Sequence, residues 1–202
     1  MSEPTVYLVD DDESFLRALS RLLRLSGFQV VGCPSAEAFL SCLESAAAGC
    51  VVADLQMPGM DGLALQAALR QTDNPLPVVF LTGQGDIPTS VRAIRNGAED
   101  FLTKDAPKED LVDAVRRALA RDAQERAGRE RLAALRRQFG LLSAREREVL
   151  KHVLRGKLNK QIADALGIHE RTVKLHRTAI TTKLGVHSVA ELTRLWMEAG
   201  GA

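Results

Sequence analysis

The chain has 202 residues, of which 46% are hydrophobic and 26% charged, which is typical of one or two globular domains and excludes collagen-like or disordered chains. No apolar run approaches the roughly 20 residues of a membrane span and the first residues do not resemble a signal peptide, so we expect a cytoplasmic protein with no membrane partner. The net charge of +1 hides a division, because residues 1–122 carry 11 Lys or Arg against 18 Asp or Glu, whereas residues 123–202 carry 16 against 8.

In the acidic half, short β-branched runs alternate with amphipathic stretches, which indicates βαβ units around a parallel sheet. The predicted strands are 5–9, 28–33, 50–53, 78–81 and 100–103. The predicted helices are one containing Phe15, Leu16, Leu19, Leu22 and Leu23 at helical spacing, and then 35–45, 62–71, 87–96 and 108–121. Five alternating units predict one doubly wound α/β domain with a five-stranded parallel sheet over residues 1–122.

The basic half has no strand-like runs. Its first part is rich in Ala, Arg and Glu, with no Pro, which predicts a helical linker over 123–139 that extends the preceding helix. The helices predicted beyond it are 144–154, 160–166, 170–184 and 189–198. Glycines follow the first three of these, where helix C-termini favour them, so we expect an all-α domain over 140–202.

The three cysteines, Cys33, Cys42 and Cys50, are odd in number and form no Cys-x-x-Cys pair. We therefore expect small buried thiols in a reducing compartment. All four histidines lie in the other half of the chain, which argues against a Cys/His zinc site.

Polar residues follow four of the five predicted strands. Asp10 and Asp11 follow the first, Asp54 follows the third, Thr82 ends the fourth and Lys104 follows the fifth. Ligands bind outside the carboxyl ends of such strands, and converging carboxylates favour Mg²⁺. With an ammonium and a hydroxyl opposite, the set predicts a site for a phosphoryl group on an aspartate. Loop and capping roles explain such residues singly, but explain their joint placement poorly.

Several stretches of the acidic half carry a family resemblance. They are Val-Asp-Asp-Asp-Glu (9–13), Ala-Asp-Leu-Gln-Met-Pro-Gly-Met-Asp-Gly (53–62), Leu-Thr-Gly (81–83), Asn-Gly-Ala (96–98) and Phe-Leu-Thr-Lys (101–104). Residues 1–122 resemble the receiver domain of two-component response regulators. The resemblance implies a sensor histidine kinase as partner, Mg²⁺ as cofactor and Asp54 as the phosphoacceptor. It also implies that the metal is held by Asp10, Asp11, Asp54 and the Gln56 carbonyl. Thr82 and Lys104 would contact the phosphoryl oxygens, and Phe101 would move with Thr82. Asp12 is expected to be solvated.

One departure from the family pattern follows Lys104. The family usually has a proline there, in a cis peptide, whereas this chain has Asp105 and Ala106 before Pro107. Because a cis bond before a non-proline residue costs about 3–4 kcal/mol, we expect a trans Lys104–Asp105 bond. The departure leaves open a receiver that is not phosphorylated and acts only as a dimerisation module.

The sequence departs from the patterns of two enzyme classes that bind phosphate groups at a similar sheet edge. A phosphatase with an aspartyl nucleophile is typically marked by Asp-x-Asp after the first strand, whereas Asp54 follows the third and has Gln56 two residues on. Gly83-x-Gly85 lacks a third glycine and does not follow the first strand, so a dinucleotide site is rejected. The sequence does not predict an enzyme.

In the basic half, two helices around a short glycine-containing turn have helix-turn-helix spacing. Arg171, Lys174, Leu175 and Thr178 share one face of the second helix, and Val173, Ile180 and Leu184 fall on another that should pack inward. The first face suits phosphates and base edges in a major groove. A solvated basic face on a helical bundle is the alternative.

A dense set of residues favours DNA binding over this alternative by resemblance. It comprises Leu142 to Leu150, Gly156, Asn159 to Ala163, Thr172 to Arg177, and Lys183-Leu184, which are similar to the LuxR-type helix-turn-helix of the NarL/FixJ family. Gly83-Gln84-Gly85-Asp86-Ile87-Pro88 resembles the FixJ subgroup.

The LuxR resemblance implies a transcription regulator that binds double-stranded promoter DNA, forms a homodimer on activation and has RNA polymerase as a further candidate partner. By position, Lys174, Leu175 and Thr178 would face bases, with Arg171 on the same face of the helix. The residues that would hold phosphates are Lys160, Thr172, His176 and Arg177. Dimerisation would be mediated by three residues of the last helix, Val189, Thr193 and Met197. Trp196 is expected in the local core.

Overall fold

The structure, a computed structural model, describes residues 3–72, 74–83 and 87–201. The chain forms two compact units, residues 1–126 and 127–202, and each has its own hydrophobic core. In the part of the chain that is described, no helix is both long and apolar enough to cross a membrane.

The first unit contains a five-stranded parallel sheet, which confirms the predicted fold class. Its strands are β1 (Thr5–Val9), β2 (Gln29–Cys33), β3 (Gly49–Ala53), β4 (Val78–Thr82) and β5 (Asp100–Thr103). The strand order is β2-β1-β3-β4-β5, so the direction of winding reverses between β1 and β3. The crevice at such a reversal is where doubly wound sheets bind their ligands.

Helices cover both faces of this sheet. They are α1 (Glu13–Leu25), α2 (Ala36–Cys42), α3 (Gly62–Leu69), α4 (Ile87–Arg95) and α5 (Lys108–Gly140). Every residue of β3 and β4 is buried, as expected for central strands between two helical layers. Phe39 and Leu65 belong to the core on one face, and Leu23 and Val115 to the core on the other.

Side-chain caps determine where three of these helices begin. The carboxylate of Asp12 accepts the N–H groups of Ser14 and Phe15 at 2.8 and 3.1 Å, and Ser35 and Asp61 cap α2 and α3 in the same way. Helix α2 is shorter than the predicted 35–45, because its cap Ser35 lies outside it and the backbone of Leu43 is already extended.

Helix α5 is 33 residues long and includes the stretch predicted as a helical extension. The division of the chain into two compact units falls between Arg126 and Ala127, within this helix. The predicted bounds of 1–122, 123–139 and 140–202 stay predictions.

The second unit is helical, as predicted. Beyond α5 it contains α6 (Ala144–Leu154), α7 (Asn159–Leu166), α8 (Glu170–Leu184) and α9 (Val189–Glu198). Val149, Ile162 and Ile180 form the centre of its core, each at most 1% exposed. Trp196 packs edge-on against Phe139 with ring centroids 5.2 Å apart, in the local core as expected.

The cysteines depart in part from expectation. Cys33 and Cys50 are buried, but Cys42 is exposed, so the prediction of a buried thiol is wrong at this position. Cys42 is the last residue of a two-turn helix whose buried positions are Ala36 and Phe39, so its side chain lies at the margin of the core.

Candidate functional sites

The predicted acidic cluster lies at the carboxyl edge of the sheet. Val9 and Ala53 are register partners in β1 and β3, so the residues that follow them, Asp10 and Asp54, emerge side by side. Asp10 is 4% exposed and Asp54 is 8% exposed, whereas Asp11 is exposed. One oxygen from each of the three carboxylates lies within 4.8 Å of the others. The structure therefore brings together the three carboxylates among the four predicted ligands.

Lys104 directly follows β5 and reaches the same edge of the sheet. Its Nζ lies 2.6 Å from Asp10 Oδ2 and 2.9 Å from Asp54 Oδ2, and 4.4 Å from the centre of the Phe15 ring. The Lys104–Asp105 peptide is trans, as expected. The lysine therefore reaches both carboxylates without the usual proline, and Phe15 adds a cation–π contact that the sequence analysis did not foresee.

At this edge, burial and ion pairing shift the pKa of each group in opposite directions. Burial raises the pKa of Asp10, although the hydrogen bond from Lys104 partly offsets the effect. Burial by itself would lower the pKa of Lys104, but hydrogen bonds to Asp10 and Asp54 outweigh it and raise that pKa. Three carboxylates against one ammonium leave excess negative charge at the edge, which favours a divalent cation.

Asp12 contacts the cluster through its backbone N–H, which donates to Asp10 Oδ1 at 2.9 Å, and not through its carboxylate. It is exposed, and its carboxylate accepts the N–H groups at the start of α1, which lower its pKa. The third acid of the Asp-Asp-Asp run therefore begins a helix. The expectation that it is solvated is confirmed.

Two of the remaining predicted residues, Thr82 and Phe101, lie on strands β4 and β5, and Gln56 lies in the loop after β3. Thr82 ends β4 and is 1% exposed, and its carbonyl accepts the N–H of Lys104 at 2.8 Å. Phe101 is half-buried in β5, opposite Phe80, with ring centroids 6.2 Å apart. The N–H of Gln56, an exposed residue, donates to Asp54 Oδ1 at 3.3 Å. Residues 84–86 of the predicted FixJ-like motif lie outside the described residues.

Two further residues, assigned no role from sequence, support the loop that carries Asp54. A Cβ at Gly62 would lie 2.4 Å from the Asp54 carbonyl oxygen and 2.9 Å from the Phe80 ring, so only glycine lets α3 begin this close to the strand. Glu37 of α2 accepts the N–H of Met60 at 3.0 Å. The Asp-Gly pair at the end of the 53–62 motif was a sequence signal for the close approach at Gly62. The contact of Glu37 with Met60 had no such signal.

In the second unit, α7 and α8 form a helix-turn-helix. Gly167 ends α7 in the left-handed region at φ 61°, and the N–H of Ile168 closes the turn on the Ala163 carbonyl at 3.0 Å. On α8, Val173, Ile180 and Leu184 are buried, which confirms the predicted inward face.

The outward face of α8 is also as predicted. Arg171, Lys174 and Thr178 are exposed, and Leu175 is 64% exposed. An exposed leucine between cations suits contact with the methyl groups of a DNA groove better than it suits plain solvation.

The residues predicted to hold phosphates flank this face. Lys160 is exposed in the first turn of α7, and Thr172, His176 and Arg177 are half-buried on α8. Arg177 donates from Nη1 to the Asn159 side chain at 3.1 Å. This bond ties α8 to α7 and holds the guanidinium beside the start of α7.

The three residues predicted for dimerisation share one side of α9. Val189 is 41% exposed and Met197 is 72% exposed. Thr193 lies between them, half-buried, and its hydroxyl donates to the Val189 carbonyl at 2.8 Å within the helix. The surface is apolar, and its role stays a prediction.

Glu146 supports the second unit and was not predicted. It is 6% exposed, forms a capping box with Ser143, and accepts a 2.7 Å hydrogen bond from the Lys183 ammonium on α8. Lys183 and the Ser143 N–H both lower the pKa of this carboxyl. The Ser-x-x-Glu spacing was a sequence signal for the box. No local signal existed for the contact with Lys183.

Comparison with known protein families gives two matches. Residues 6–116 match the family described as "Response regulator receiver domain", and residues 140–196 match "Bacterial regulatory proteins, luxR family". Together these matches include all the predicted site residues except Met197.

Relatives match this chain over nearly its whole length. The chain is 44% identical to "Response regulator protein TodT" of Pseudomonas putida over 190 residues, 94% of this chain and 84% of the relative. It is 37% identical to "Transcriptional regulatory protein FixJ" of Bradyrhizobium diazoefficiens over 196 residues, 96% and 95% of the two chains. Among solved structures, the response regulator StyR is similar with a TM-score of 0.88 and 43% identity, covering 98% of this chain and 100% of that one.

Proposed function

The chain belongs to the two-component response regulators that join a receiver domain to a LuxR-family DNA-binding domain, and on this premise we propose that phosphorylation of Asp54 controls its binding to promoter DNA. The family regulates transcription and is not an enzyme class in the usual sense. The observation that carries the proposal is the buried Asp54 carboxylate, 2.9 Å from the Lys104 ammonium and beside Asp10. A sensor histidine kinase is the proposed phosphodonor, and the cytoplasm the proposed place of action.

The donor set fits a magnesium ion. Hard oxygen atoms from three carboxylates within 4.8 Å of one another, two of them on buried side chains, are ligands that Mg²⁺ prefers. We assign Asp10, Asp11, Asp54 and the Gln56 carbonyl to this role. The bound ion would supply positive charge that offsets the phosphoryl oxygens.

In the transfer step, a carboxylate oxygen of Asp54 attacks the phosphorus of the donor. The new O–P bond forms as the P–N bond to the donor imidazole breaks, and the electron pair stays on that nitrogen. The charge on the Asp54 side chain changes from one negative charge to nearly two. The Lys104 ammonium, which Asp10 and Asp54 share beforehand, then pairs with a phosphoryl oxygen.

Thr82 and Phe101 carry the signal away from Asp54 in this proposal. The Thr82 hydroxyl turns toward a phosphoryl oxygen, and the Phe101 ring moves into the space that it leaves. The movement changes the surface of α4, β5 and α5, on which we propose that the activated protein dimerises. A change from mostly inactive to mostly active needs roughly 5 kcal/mol of bias, which new charged hydrogen bonds and a dimer interface can supply together.

On DNA, we assign base contacts to Lys174, Leu175 and Thr178 of α8 and phosphate contacts to the flanking residues. The phosphate set is Lys160, Thr172, His176 and Arg177, and Arg171 lies on the same face of α8 as the residues assigned to bases. The exposed residues of both sets lie on α7 and α8, so both helices would contact one groove and its backbone. The apolar side of α9, Val189, Thr193 and Met197, would pair two copies of the domain on DNA, and RNA polymerase is the proposed further partner at the promoter.

A labelling experiment tests the proposal. The wild type and Asp54→Asn are incubated with Mg²⁺ and a small radioactive phosphodonor, and Asp54→Asn is expected to lose the label. Asp12→Asn is the matched control, because this neighbouring exposed carboxylate caps α1, a role that asparagine also fills. Label retained in Asp54→Asn would remove Asp54 from its role. A wild type that takes no label but dimerises would support the unphosphorylated alternative, and turnover of a phosphomonoester would support the phosphatase.

A further inference from the structure

Two of the three thiols of the first unit lie side by side. Cys33 ends β2, Cys42 ends α2, and their Sγ atoms are 4.0 Å apart. A separation of nine residues gives no sign of this proximity. The chain enters α2 through the Ser35 cap and returns to the end of the strand within two helical turns. The structure therefore makes a pair of thiols that sequence analysis treated as separate.

The two thiols differ in accessibility. Cys33 is 4% exposed, and burial together with the neighbouring Cys42 raises its pKa to about 12. Cys42 is the exposed residue of the pair, and its thiol donates to the Phe39 carbonyl at 3.2 Å, so an oxidant from solvent meets Cys42 before the buried Cys33. Thiols that respond reversibly to oxidants combine one accessible sulfur with a second sulfur poised to resolve the product. Cys42 and Cys33 have this arrangement.

Cys50 provides an internal contrast. It lies in β3 with no exposed surface, and burial, followed by the charge of Asp122, raises its pKa to about 12. An oxidant that reaches Cys42 should therefore leave Cys50 intact.

We propose that Cys33 and Cys42 form a reversible disulfide on exposure to hydrogen peroxide. The Cys42 thiolate attacks one peroxide oxygen, the O–O bond breaks, and the released hydroxide takes up the proton that Cys42 lost. The sulfur of Cys33 then attacks the sulfenic sulfur of Cys42, the S–O bond breaks, and the Cys33 proton leaves with the hydroxyl group as water. In total, two thiols and one peroxide give one disulfide and two waters.

Closing the bond requires only local movement. A disulfide is about 2.05 Å long, so the two sulfurs must approach one another by about 2 Å. Cys42 is the last residue of α2, with an extended residue after it, so its side chain can rotate without breaking a helix interior. Cytosolic disulfides are usually transient and redox-sensing, which agrees with a pair kept reduced until an oxidant arrives.

The pair also borders the acidic site. The carbonyl of Cys33 accepts the N–H of Asp10 at 3.2 Å, so one backbone hydrogen bond joins the thiol pair to a residue of the carboxylate cluster.

Peptide mapping of the full chain tests the proposal, because cleavage after glutamate separates all three thiols. Glu13, Glu37, Glu44 and Glu99 delimit fragments 14–37, 38–44 and 45–99, which contain Cys33, Cys42 and Cys50 respectively. After treatment with hydrogen peroxide and alkylation of free thiols, fragments 14–37 and 38–44 are expected as one species, lighter by two hydrogen atoms. Dithiothreitol should separate them.

Three variants sharpen the result. Cys50→Ala should keep the cross-link, and Cys42→Ser, at an exposed position, should lose it while Cys33 stays a free thiol. Cys33→Ser should leave a sulfenic acid on Cys42 that dimedone traps; if this variant does not fold, Cys42→Ser still tests the pair. Fragments 14–37 and 38–44 that stay separate in the oxidised wild type, a cross-link to 45–99, or a link between two copies of 38–44 would each overturn the proposal.

Discussion

The contact between Glu146 and Lys183 gives a prediction whose magnitude follows from the structure. Glu146→Gln keeps a side chain that can complete the capping box but removes the charge that Lys183 meets at 2.7 Å. The Lys183 side chain is 38% exposed and can be hydrated once unpaired, so we expect a loss of about 1–2 kcal/mol of unfolding free energy. Glu146→Ala also loses the box, which adds about 1 kcal/mol.

The chain carries a convenient reporter for this measurement. Trp196 is the single tryptophan, and it packs against Phe139 in the core that contains α6 and α8. Urea unfolding of the full chain, followed by its fluorescence, should give midpoints in the order wild type, Glu146→Gln, Glu146→Ala. Glu148→Gln is the matched control, because Glu148 pairs on the same helix with Arg145 and is half exposed, so its loss should be within about 0.5 kcal/mol.

The sign of the pH dependence is determined as well. Lys183 and the Ser143 N–H lower the pKa of Glu146 in the folded protein, so its contribution is complete above the ordinary glutamate pKa of about 4.3. It is lost as the pH falls below that value through the folded pKa, and the wild type and Glu146→Gln should converge there. Equal midpoints at pH 7, or a difference that grows in acid, would refute the reasoning.

Three further predictions concern the two candidate sites. Gly62→Ala should lower the unfolding free energy of the receiver by about 1–3 kcal/mol and slow labelling of Asp54, because the new Cβ would lie 2.4 Å from a backbone oxygen. Gly128→Ala is the control in an open part of a helix and should stabilise the protein slightly, so equal changes in the urea midpoints of the two variants would contradict the contact. Lys174→Ala should lose about 1–3 kcal/mol of binding free energy at the preferred operator and relax the base preference, whereas Arg177→Ala should weaken binding to all DNA sequences alike. Identical profiles of the two variants in competition binding would mean that the assignment of the α8 faces is wrong. Affinity for DNA should fall with salt at a logarithmic slope of about −0.9 per phosphate contacted, and a salt-independent affinity would exclude the major-groove interpretation.

The residue pattern predicted the acidic site well, because its residues are marked by neighbours close to them in the sequence. A strand in a covered parallel sheet is a short apolar run, so its end can be read from the sequence, and a residue that follows it must emerge at the carboxyl edge. Asp10, Asp54 and Lys104 needed only this rule and a family resemblance to be grouped, and they lie together. The faces of α8 were predictable for the same kind of reason, because 3.6-residue periodicity places Val173 inward and Lys174 outward.

Contacts between elements were not predictable in this way. Asp122 of α5 is 1% exposed and accepts the N–H of Gly49 at 3.0 Å, and Gln66 of α3 donates to the Ala93 carbonyl at the end of α4 at 3.2 Å. The residues of each pair are 73 and 27 positions apart. Such bonds depend on the order in which strands and helices are laid beside one another, and no local period encodes that order.

By itself, the sequence determined the two-part organisation, the fold class, the carboxylate set and the outward face of α8. These properties follow from hydrophobic periodicity, and from polar residues at the ends of apolar runs, within a few residues of one another. The strand order β2-β1-β3-β4-β5, the contact of Glu146 with Lys183 and the 4.0 Å approach of Cys33 to Cys42 came only from the tertiary structure. Each of these features depends on two segments packing at a particular distance and angle. Periodicity describes each segment separately, whereas packing is a property of the whole domain.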